Sequence, residues 1–151
     1  MNITLEQIEA KQTELTDLIA KFKTQPKPTQ YGIPAIVISL APGERYAGLV
    51  LDDNGEPSHH LVLLPGEAEE VNWDEAKDWV IEQGGGLPTR QEQALLYANL
   101  KSEFKSAWYW SNEANGDASA WCQLFTNGRQ FYGHQRYELR ARAVRLIQLN
   151  A

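Results

Sequence analysis

The chain has 151 residues and a net charge of −6, with 42% hydrophobic and 23% charged residues. This length is sufficient for one globular domain, and the acidic balance argues against a nucleic-acid-binding protein, which needs a basic face. No apolar run reaches the ~18 residues of a membrane-spanning helix, and the single cysteine, Cys122, excludes an intramolecular disulfide.

The first 25 residues predict an amphipathic helix. Thr4 and Gln7 have the spacing of a capping box, and Pro26 cannot continue the helix. The apolar positions form one stripe: Leu5, Ile8, Leu15, Leu18, Ile19 and Phe22. The stripe can pack on the body of the protein or on the same helix of a second copy, and the sequence leaves both open. Residues 26–30 predict a stiff proline-rich linker, followed by a domain over residues 31–151.

Three segments rich in β-branched and apolar residues come next. They predict strands at Ile33–Leu40, Tyr46–Leu51 and His59–Leu64. The Asn54-Gly55 pair between the last two is a strong signal for a hairpin turn, because both residues tolerate positive φ. We therefore expect a short antiparallel sheet in the first half of the domain.

Two capped helices follow the hairpin. Asn72 precedes Glu75 by three residues, and Thr89 precedes Glu92 in the same way, so each pair has the pattern of a capping box. The three glycines Gly84-Gly85-Gly86 end the first helix.

Beyond the helices the pattern changes to short strands. Trp121, Gln123 and Phe125 alternate on one face of a strand, and a turn follows at Asn127-Gly128. Leu139–Leu149 predicts one closing strand. Strands, two helices and then strands again indicate an α+β protein.

Several phrases of this region resemble a known family. They are Gly86-Leu87-Pro88-Thr89-Arg90, Tyr109-Trp110-Ser111-Asn112-Glu113, Ala120-Trp121-Cys122-Gln123-Leu124-Phe125, Asn127-Gly128 and Arg142-Ala143-Val144-Arg145. The series resembles the C-type-lectin-like domains of bacteria and their phages, a group that includes the collagen-like adhesin C-terminal domain, the formylglycine-generating-enzyme superfamily and the phage tropism determinant. The resemblance implies a C-type-lectin-like fold, with two helices on small antiparallel sheets and paired terminal strands.

The residues do not indicate an enzyme. The formylglycine-generating relatives use a pair of cysteines with copper, whereas this chain has Cys122 alone, in a predicted strand next to Trp121. A free cysteine in that setting behaves as a small buried hydrophobe. We therefore expect no catalytic residues and no cofactor.

Two groups of residues could be mistaken for metal ligands. His59 and His60 are neighbours on a strand, so their side chains point to opposite faces and cannot share an ion. Asn112, Glu113, Asn115 and Asp117 offer oxygen ligands, but their spacing differs from a dedicated calcium loop and suits a turn. We expect no metal site.

The candidate binding face is the polar and aromatic stretch from Arg129 to Tyr137. In the resembling phage and adhesin domains the corresponding stretch is the ligand-facing loop. The residues expected to contact a ligand are Arg129, Phe131, Tyr132, His134, Gln135, Arg136 and Tyr137, with Asn112 and Glu113 at the rim. Rigid aromatics beside polar groups are typical of an adaptable binding surface. The alternative is that the aromatics fold inward over the sheet.

The charge of the C-terminal region is uneven. Five arginines lie between Arg129 and Arg145, against one acid, Glu138. They predict either structural arginines on strands or a local anion- or partner-binding patch.

The sequence thus predicts a non-catalytic ligand-binding module, encoded by a phage or prophage, that displays this loop to a host protein or glycan. The alternative is a cytoplasmic phage protein that inhibits or modulates a host factor. We expect no nucleic-acid or membrane partner, and a homo-oligomer is possible through the N-terminal helix. With no signal peptide at the N-terminus, the expected location is the cytoplasm or the virion.

Overall fold

A computed structural model of the protein describes residues 2–149. These residues divide into two compact units, with the boundary between Ile33 and Pro34. The helices are α1 (Leu5–Thr24), α2 (Trp73–Glu82) and α3 (Arg90–Leu100), and a 3-10 turn follows at Lys101–Glu103. The strands are β1 (Arg45–Leu51), β2 (Pro57–Leu63), β3 (Ala68–Val71), β4 (Trp108–Asn115), β5 (Ser119–Leu124), β6 (Gln130–His134), β7 (Leu139–Ala141) and β8 (Val144–Gln148). The α+β class is confirmed.

The first unit contains α1, and its capping box is present as predicted. The Thr4 side chain accepts a hydrogen bond from the backbone N–H of Gln7 at 3.3 Å, and the Gln7 side chain accepts one from the N–H of Thr4 at 3.1 Å. No residue of the helix is buried, including the six of the apolar stripe. Nothing in the described structure of this unit covers the stripe.

The predicted strand at Ile33–Leu40 is wrong. This segment has no regular structure, and Val37 is 96% exposed. β-Branched residues favour a strand only when a neighbouring strand supplies hydrogen bonds and packing, and here β1 pairs only with β2. A side chain holds the segment instead, since the Arg145 guanidinium donates to the carbonyl of Ser39 at 3.0 Å.

The first sheet of the second unit has three strands in the order β1-β2-β8, all antiparallel. The hairpin predicted at Asn54-Gly55 joins β1 and β2, with Gly55 at a φ of 77°. β2 is the central strand, and Leu61, Val62 and Leu63 are fully buried. Pairing of β2 with β8 places the last strand against the first hairpin of the domain.

The two predicted capping boxes begin α2 and α3. Asn72 accepts from the N–H of Glu75 at 2.9 Å, and Thr89 accepts from the N–H of Glu92 at 3.1 Å. α2 buries Trp73, Ala76 and Val80, while α3 buries Leu96 and Leu100. Each helix covers a separate cluster of the core, so both sheets are closed on one side.

The second sheet has five strands in the order β3-β7-β4-β5-β6. All its pairs are antiparallel except a single parallel bridge between Tyr109 of β4 and Arg140 of β7. β3 and β6 are its edges. Among the strands of residues 2–149, β6 therefore has a neighbour on one side only.

The single closing strand predicted at Leu139–Leu149 is wrong, because the chain leaves one sheet and joins the other within it. Arg142 and Ala143 separate β7 from β8. The buried Arg142 guanidinium donates to the carbonyl of Leu64 at 2.9 Å and to that of Glu103 at 2.5 Å. These bonds satisfy two carbonyls beside the crossing, a long-range contact that periodicity alone could not reveal. Burial lowers the pKa of Arg142.

The residues of the family-like phrases form much of the core. Trp110 and Val144 are fully buried, and the Trp110 indole donates to the carbonyl of Val71 at 2.9 Å. Phe125 stacks on Phe104, with ring centroids 3.9 Å apart. These phrases therefore build the scaffold that carries β5 and β6.

No helix within residues 2–149 is long and apolar enough to cross a membrane.

Candidate binding face

The stretch predicted as a loop, Arg129–Tyr137, is mostly an edge strand. β6 covers Gln130–His134, and only residues 135–137 form a turn. The reason is the preceding turn, where Gly128 adopts a φ of 79° and its N–H donates to the carbonyl of Leu124 at 2.8 Å. This turn reverses the chain so that the following residues pair with β5. The prediction of an irregular loop is therefore wrong.

One face of β6 carries an aromatic and cationic group. Tyr132 lies opposite Trp121 in the strand pairing, and their ring centroids are 5.4 Å apart at an angle of 80°. The guanidinium carbon of Arg90, from the start of α3, lies 3.5 Å from the centroid of the Trp121 ring. Such cation–π contact holds both planar groups in one orientation. The face is thus ordered before any ligand binds.

A chain of glutamine side chains braces this face from the core. Gln93 of α3 donates to the carbonyl of Tyr109 at 3.1 Å. Gln123 donates to the carbonyl of Gln93 at 2.7 Å and accepts from Gln130 at 2.9 Å. Gln130 in turn accepts from the Arg90 guanidinium at 3.1 Å. Gln93 and Gln123 are fully buried, so the network links α3, β5 and β6 where a broken bond is costly.

The side of β6 that carries Phe131 and Gly133 borders an apolar groove of about 240 Å³, and the Tyr132 ring reaches round the edge of the strand to stack on Phe131 and line the same groove. Its lining residues are Trp108, Cys122, Phe131, Tyr132, Gly133, Tyr137 and Leu139. Tyr137 lies over Gly133, where a Cβ atom would come within 3.1 Å of the tyrosine ring. Burial raises the pKa of the Cys122 thiol to about 12, so the thiol is neutral at physiological pH. The groove is thus uncharged and aromatic.

The three large apolar side chains of the stretch are exposed to similar extents. Phe131 is 45% exposed, Tyr132 44% and Tyr137 61%. Phe131 and Tyr132 also stack on each other, with centroids 4.7 Å apart and planes 9° apart. The alternative of aromatics folded inward over the sheet is therefore wrong for these three.

Three of the five C-terminal arginines have structural partners. Arg140 pairs with Glu67 and Glu69, Arg142 donates to backbone carbonyls, and Arg145 pairs with Glu44 at 2.8 Å. Hydrogen bonding to Arg145 holds the pKa of the Glu44 carboxyl below its ordinary value.

The other two arginines lie at the two ends of β6. Arg129 and Arg136 are exposed, and no carboxylate of residues 2–149 forms an ion pair with either. The Arg129 guanidinium lies 5.3 Å from the Phe131 ring centroid. The structural alternative therefore holds for Arg140, Arg142 and Arg145, and a binding patch stays a prediction for Arg129 and Arg136.

The remaining predicted site residues have local partners. The amide of Gln135 donates to the carbonyl of Ser119 at 3.0 Å, and the Gln135 carbonyl accepts from the N–H of Trp73. Nδ1 of His134 accepts from the N–H of Arg136 at 3.1 Å. These two side chains shape the turn more than they offer free groups.

The predicted rim residues lie beside the start of α3. The carboxylate of Glu113 accepts from the N–H of Arg90 at 2.7 Å, while Asn112 is exposed and its N–H donates to the carbonyl of Pro88. Glu113 lines a second recess together with Thr89, Arg90, Gln91 and Gln130. The rim thus adjoins the aromatic and cationic face of β6.

Sequence reasoning missed Arg90, Trp108, Trp121 and Gln130 as members of this surface. Arg90 and Trp121 lie inside family-like phrases, and neither was among the residues expected to contact a ligand. A usable signal existed, because the turn at Asn127-Gly128 fixes the pairing of β5 with β6 and places Trp121 beside Tyr132.

The two histidines point to opposite faces of β2, and both are hydrogen-bonded, with Nδ1 of His59 3.0 Å from the Ser58 hydroxyl. Nε2 of His59 lies 2.6 Å from the carboxylate of Glu92, and Nδ1 of His60 lies 2.7 Å from the Tyr46 hydroxyl. Within residues 2–149 no three His, Cys, Asp or Glu side chains are grouped to hold a metal ion. Gly116, with a φ of 76°, lies in the turn that joins β4 to β5.

No protein-family model matches this sequence, and no curated protein matches it significantly. The C-type-lectin-like assignment therefore stays a prediction that rests on the phrases quoted above.

Proposed function

We propose that the protein is a non-catalytic ligand-binding module, encoded by a phage or prophage, that presents the β6 face to a host protein or glycan. By the β6 face we mean the exposed side chains of β6 and of its two flanking turns, irrespective of the side of the strand: Arg129, Phe131, Tyr132, Arg136 and Tyr137. The observation that carries the proposal is the exposure of three aromatic side chains and two arginines without carboxylate partners on a short edge strand and its two flanking turns.

Aromatic and arginine side chains are the residues that contribute most at binding interfaces. They cover a large area with few rotatable bonds, so ordering them on binding costs little entropy. On β6 this cost is lower still, because Tyr132 already contacts Trp121, and Gln130 is bonded to Gln123 and Arg90. A braced surface of this kind favours recognition over chemistry.

The groups that could act in catalysis are engaged or neutral. The Cys122 thiol has a pKa raised to about 12, so little thiolate is available as a nucleophile near neutral pH. His59 and His60 are both buried and both hydrogen-bonded within the protein. These features support a binding function.

The fold proposal is a C-type-lectin-like domain. It is supported by the pairing of β2 with β8 near the end of the chain and by the two helices packed beside small sheets. The core positions of Trp110, Phe125 and Val144 fit the framework role that the resemblance implies. We place the protein in the host cytoplasm or in the virion.

The binding test is capture of ligands from a bacterial lysate and on a glycan array with the wild-type protein. Tyr132→Ala and Arg136→Ala should each weaken binding at least tenfold, about 1.4 kcal/mol, because they remove an exposed anchor. Ile81→Ala is the matched control, since Ile81 is an exposed apolar residue of α2. Ligands that bind all three variants as tightly as wild type would contradict the assignment of the face.

We further propose that α1 associates with the same helix of a second copy. The six apolar side chains of its stripe are at least 46% exposed, and such a stripe is rarely left in water. Association would raise weak single-site affinity through multivalency.

Light scattering of the full-length chain tests this. Ile8→Asp with Leu15→Asp should convert the oligomer to a monomer, whereas Glu9→Gln, off the stripe, should not. A wild-type protein that is already monomeric would exclude the oligomer.

A further inference from the structure

β6 presents unpaired backbone groups at the edge of the five-stranded sheet. At one end of its ladder with β5, the N–H of Leu124 donates to the carbonyl of Arg129 at 2.8 Å. In an antiparallel pair, residues that face the partner strand alternate with residues that face away. The odd-numbered positions of β6 therefore bond to β5. The outward-facing backbone groups belong to Gln130, Tyr132 and His134.

The backbone of this edge lacks the features that usually prevent a further strand from pairing, although the stacked rings of Phe131 and Tyr132 have to part to admit one. β6 contains no proline, lysine or acidic residue, and its five residues pair with β5 in continuous register without a bulge. Within residues 2–149 no strand lies on its outer side. Such an edge is a template for an added strand.

Side-chain space lies next to this template. The apolar groove is on the Phe131 and Gly133 side of β6, where the Tyr137 ring lies over Gly133 and forms part of the groove wall. An added strand would place alternate side chains on this side. Apolar side chains fit there, because the lining is aromatic and the Cys122 thiol is neutral.

The charges around this edge indicate which kind of added strand would be favoured. Arg129 and Arg136 lie at the two ends of β6 without carboxylate partners, in a protein whose net charge is −6. A second copy of β6 does not fit, because antiparallel pairing would bring Arg129 of one copy near Arg136 of the other. An extended peptide with acidic residues at its ends complements both charges.

We infer that the ligand of this face is an extended peptide segment of a protein partner, with apolar residues at alternate positions and acidic residues at its ends, which adds to β6 as a sixth strand. The inference rests on the proposed binding function and specifies its ligand class. Main-chain bonds to Tyr132 would give affinity, and the groove and the two arginines would give specificity.

The probe is an array of capped peptides of about eight residues, enough to span β6, with apolar residues alternating with Thr and with Asp or Glu at both ends. A matched array carries Lys at the ends. The wild-type protein should bind members of the acidic array at least tenfold more tightly than their Lys counterparts. Arg129→Glu with Arg136→Glu should reverse this preference, and Lys77→Glu on α2 should leave it unchanged.

Backbone pairing is tested separately from side-chain contact. Tyr132→Ala removes the ring and keeps the outward N–H, whereas Tyr132→Pro removes both, so the proline variant should bind at least tenfold more weakly than the alanine variant. Methylation of the peptide nitrogens that face β6 should abolish binding, and methylation of the alternate nitrogens should not. The methylated peptides are tested on the wild-type protein, so they show whether backbone pairing occurs even if Tyr132→Pro fails to fold.

Absence of any bound peptide, or binding that is insensitive to both series of nitrogen methylation, would overturn strand addition. In that event a glycan or folded protein that Tyr132→Ala releases would still support the proposed binding face. If Tyr132→Ala releases neither peptide, protein nor glycan, both proposals fail.

Discussion

The two edges of the five-stranded sheet differ in how they meet solvent. β3 has four residues, including Glu69 and Glu70, and a bulge interrupts its pairing with β7 between Ala68 and Val71. β6 has five residues, an unbroken register with β5 and no charged residue within the strand. One edge is therefore protected against an added strand and the other is open.

Ion pairs reinforce the protected edge. Arg140 of β7 donates to Glu67 at 2.8 Å and to Glu69 at 2.9 Å, and the Tyr109 hydroxyl hydrogen-bonds Glu67. At the open edge the bracing comes from within the core, through Gln123 and Gln93, and leaves the outer side free. In this sheet the ion pairs thus lie at β3, whereas the two arginines beside β6 have no carboxylate partner within residues 2–149.

Among the variants that test this contrast, the largest effect is expected for Gln123→Ala. Gln123 is fully buried and bonds to both the backbone carbonyl of Gln93 and the Gln130 amide, so its truncation removes two buried hydrogen bonds and leaves a cavity. We expect a loss of about 3 kcal/mol in the free energy of unfolding, with faster hydrogen exchange in β6 than in β3. Urea denaturation measures the first quantity. The exposed Gln91→Ala serves as control, and a Gln123→Ala protein as stable as that control would show that the bracing is not needed.

A somewhat smaller effect is expected at the turn that sets the β6 register. Gly128 has a φ of 79°, and a Cβ there would lie 2.9 Å from the ring of Tyr97. Gly128→Ala should destabilise the protein by about 2 kcal/mol, from backbone strain and this contact. Gly55→Ala at the β1–β2 turn has a similar φ of 77° and open space, so it should cost only about 1 kcal/mol. Thermal unfolding of both variants checks the difference, and equal losses would mean that Tyr97 moves aside freely.

Cys122, beneath the groove of the open edge, gives a pH-dependent test. Cys122→Ala should cost about 1–2 kcal/mol near neutral pH. Folding raises the pKa of this thiol from an ordinary 9.0 to about 12, so the stabilisation linked to the neutral thiol is full below pH 9 and falls as pH rises toward 12. The advantage of wild type over Cys122→Ala should therefore shrink above pH 9. An advantage that stays constant between neutral pH and pH 11 would place the thiol in contact with water.

Local signals were reliable wherever a side chain bonds to a nearby backbone group. Thr4, Asn72 and Thr89 were identified from spacing alone, and each caps its helix in the structure. The hairpin at Asn54-Gly55 and the turn at Asn127-Gly128 followed from residues that tolerate positive φ. These features are decided within a few residues, so the sequence contains the whole cause.

The predictions that were wrong all concern strand pairing between segments far apart in the sequence. Ile33–Leu40 has the composition of a strand but no partner, and Leu139–Leu149 contains two strands of different sheets. The candidate face was located from composition, yet Trp121 and Arg90 joined it only through pairing of β5 with β6 and packing of α3. Which edge is open depends on strand order, and no local pattern specifies strand order.

The smallest expected effect is at the protected edge itself. Glu70 has a φ of 52°, a conformation that glycine adopts without strain. Glu70→Gly should therefore stabilise the protein slightly or leave it unchanged, within about 1 kcal/mol, since the relief of strain opposes the greater freedom of glycine in the unfolded chain. Glu70→Ala keeps the backbone strain and removes the charge, so the difference in stability between Glu70→Gly and Glu70→Ala measures the contribution of the backbone. The same variant tests what prevents β3 from pairing with another molecule. If the bulge does so, Glu70→Ala should remain as soluble as wild type in light scattering. If the Glu70 carboxylate does so, the loss of its charge should cause aggregation. Aggregation of the alanine variant would thus shift the explanation of the protected edge from backbone shape to charge.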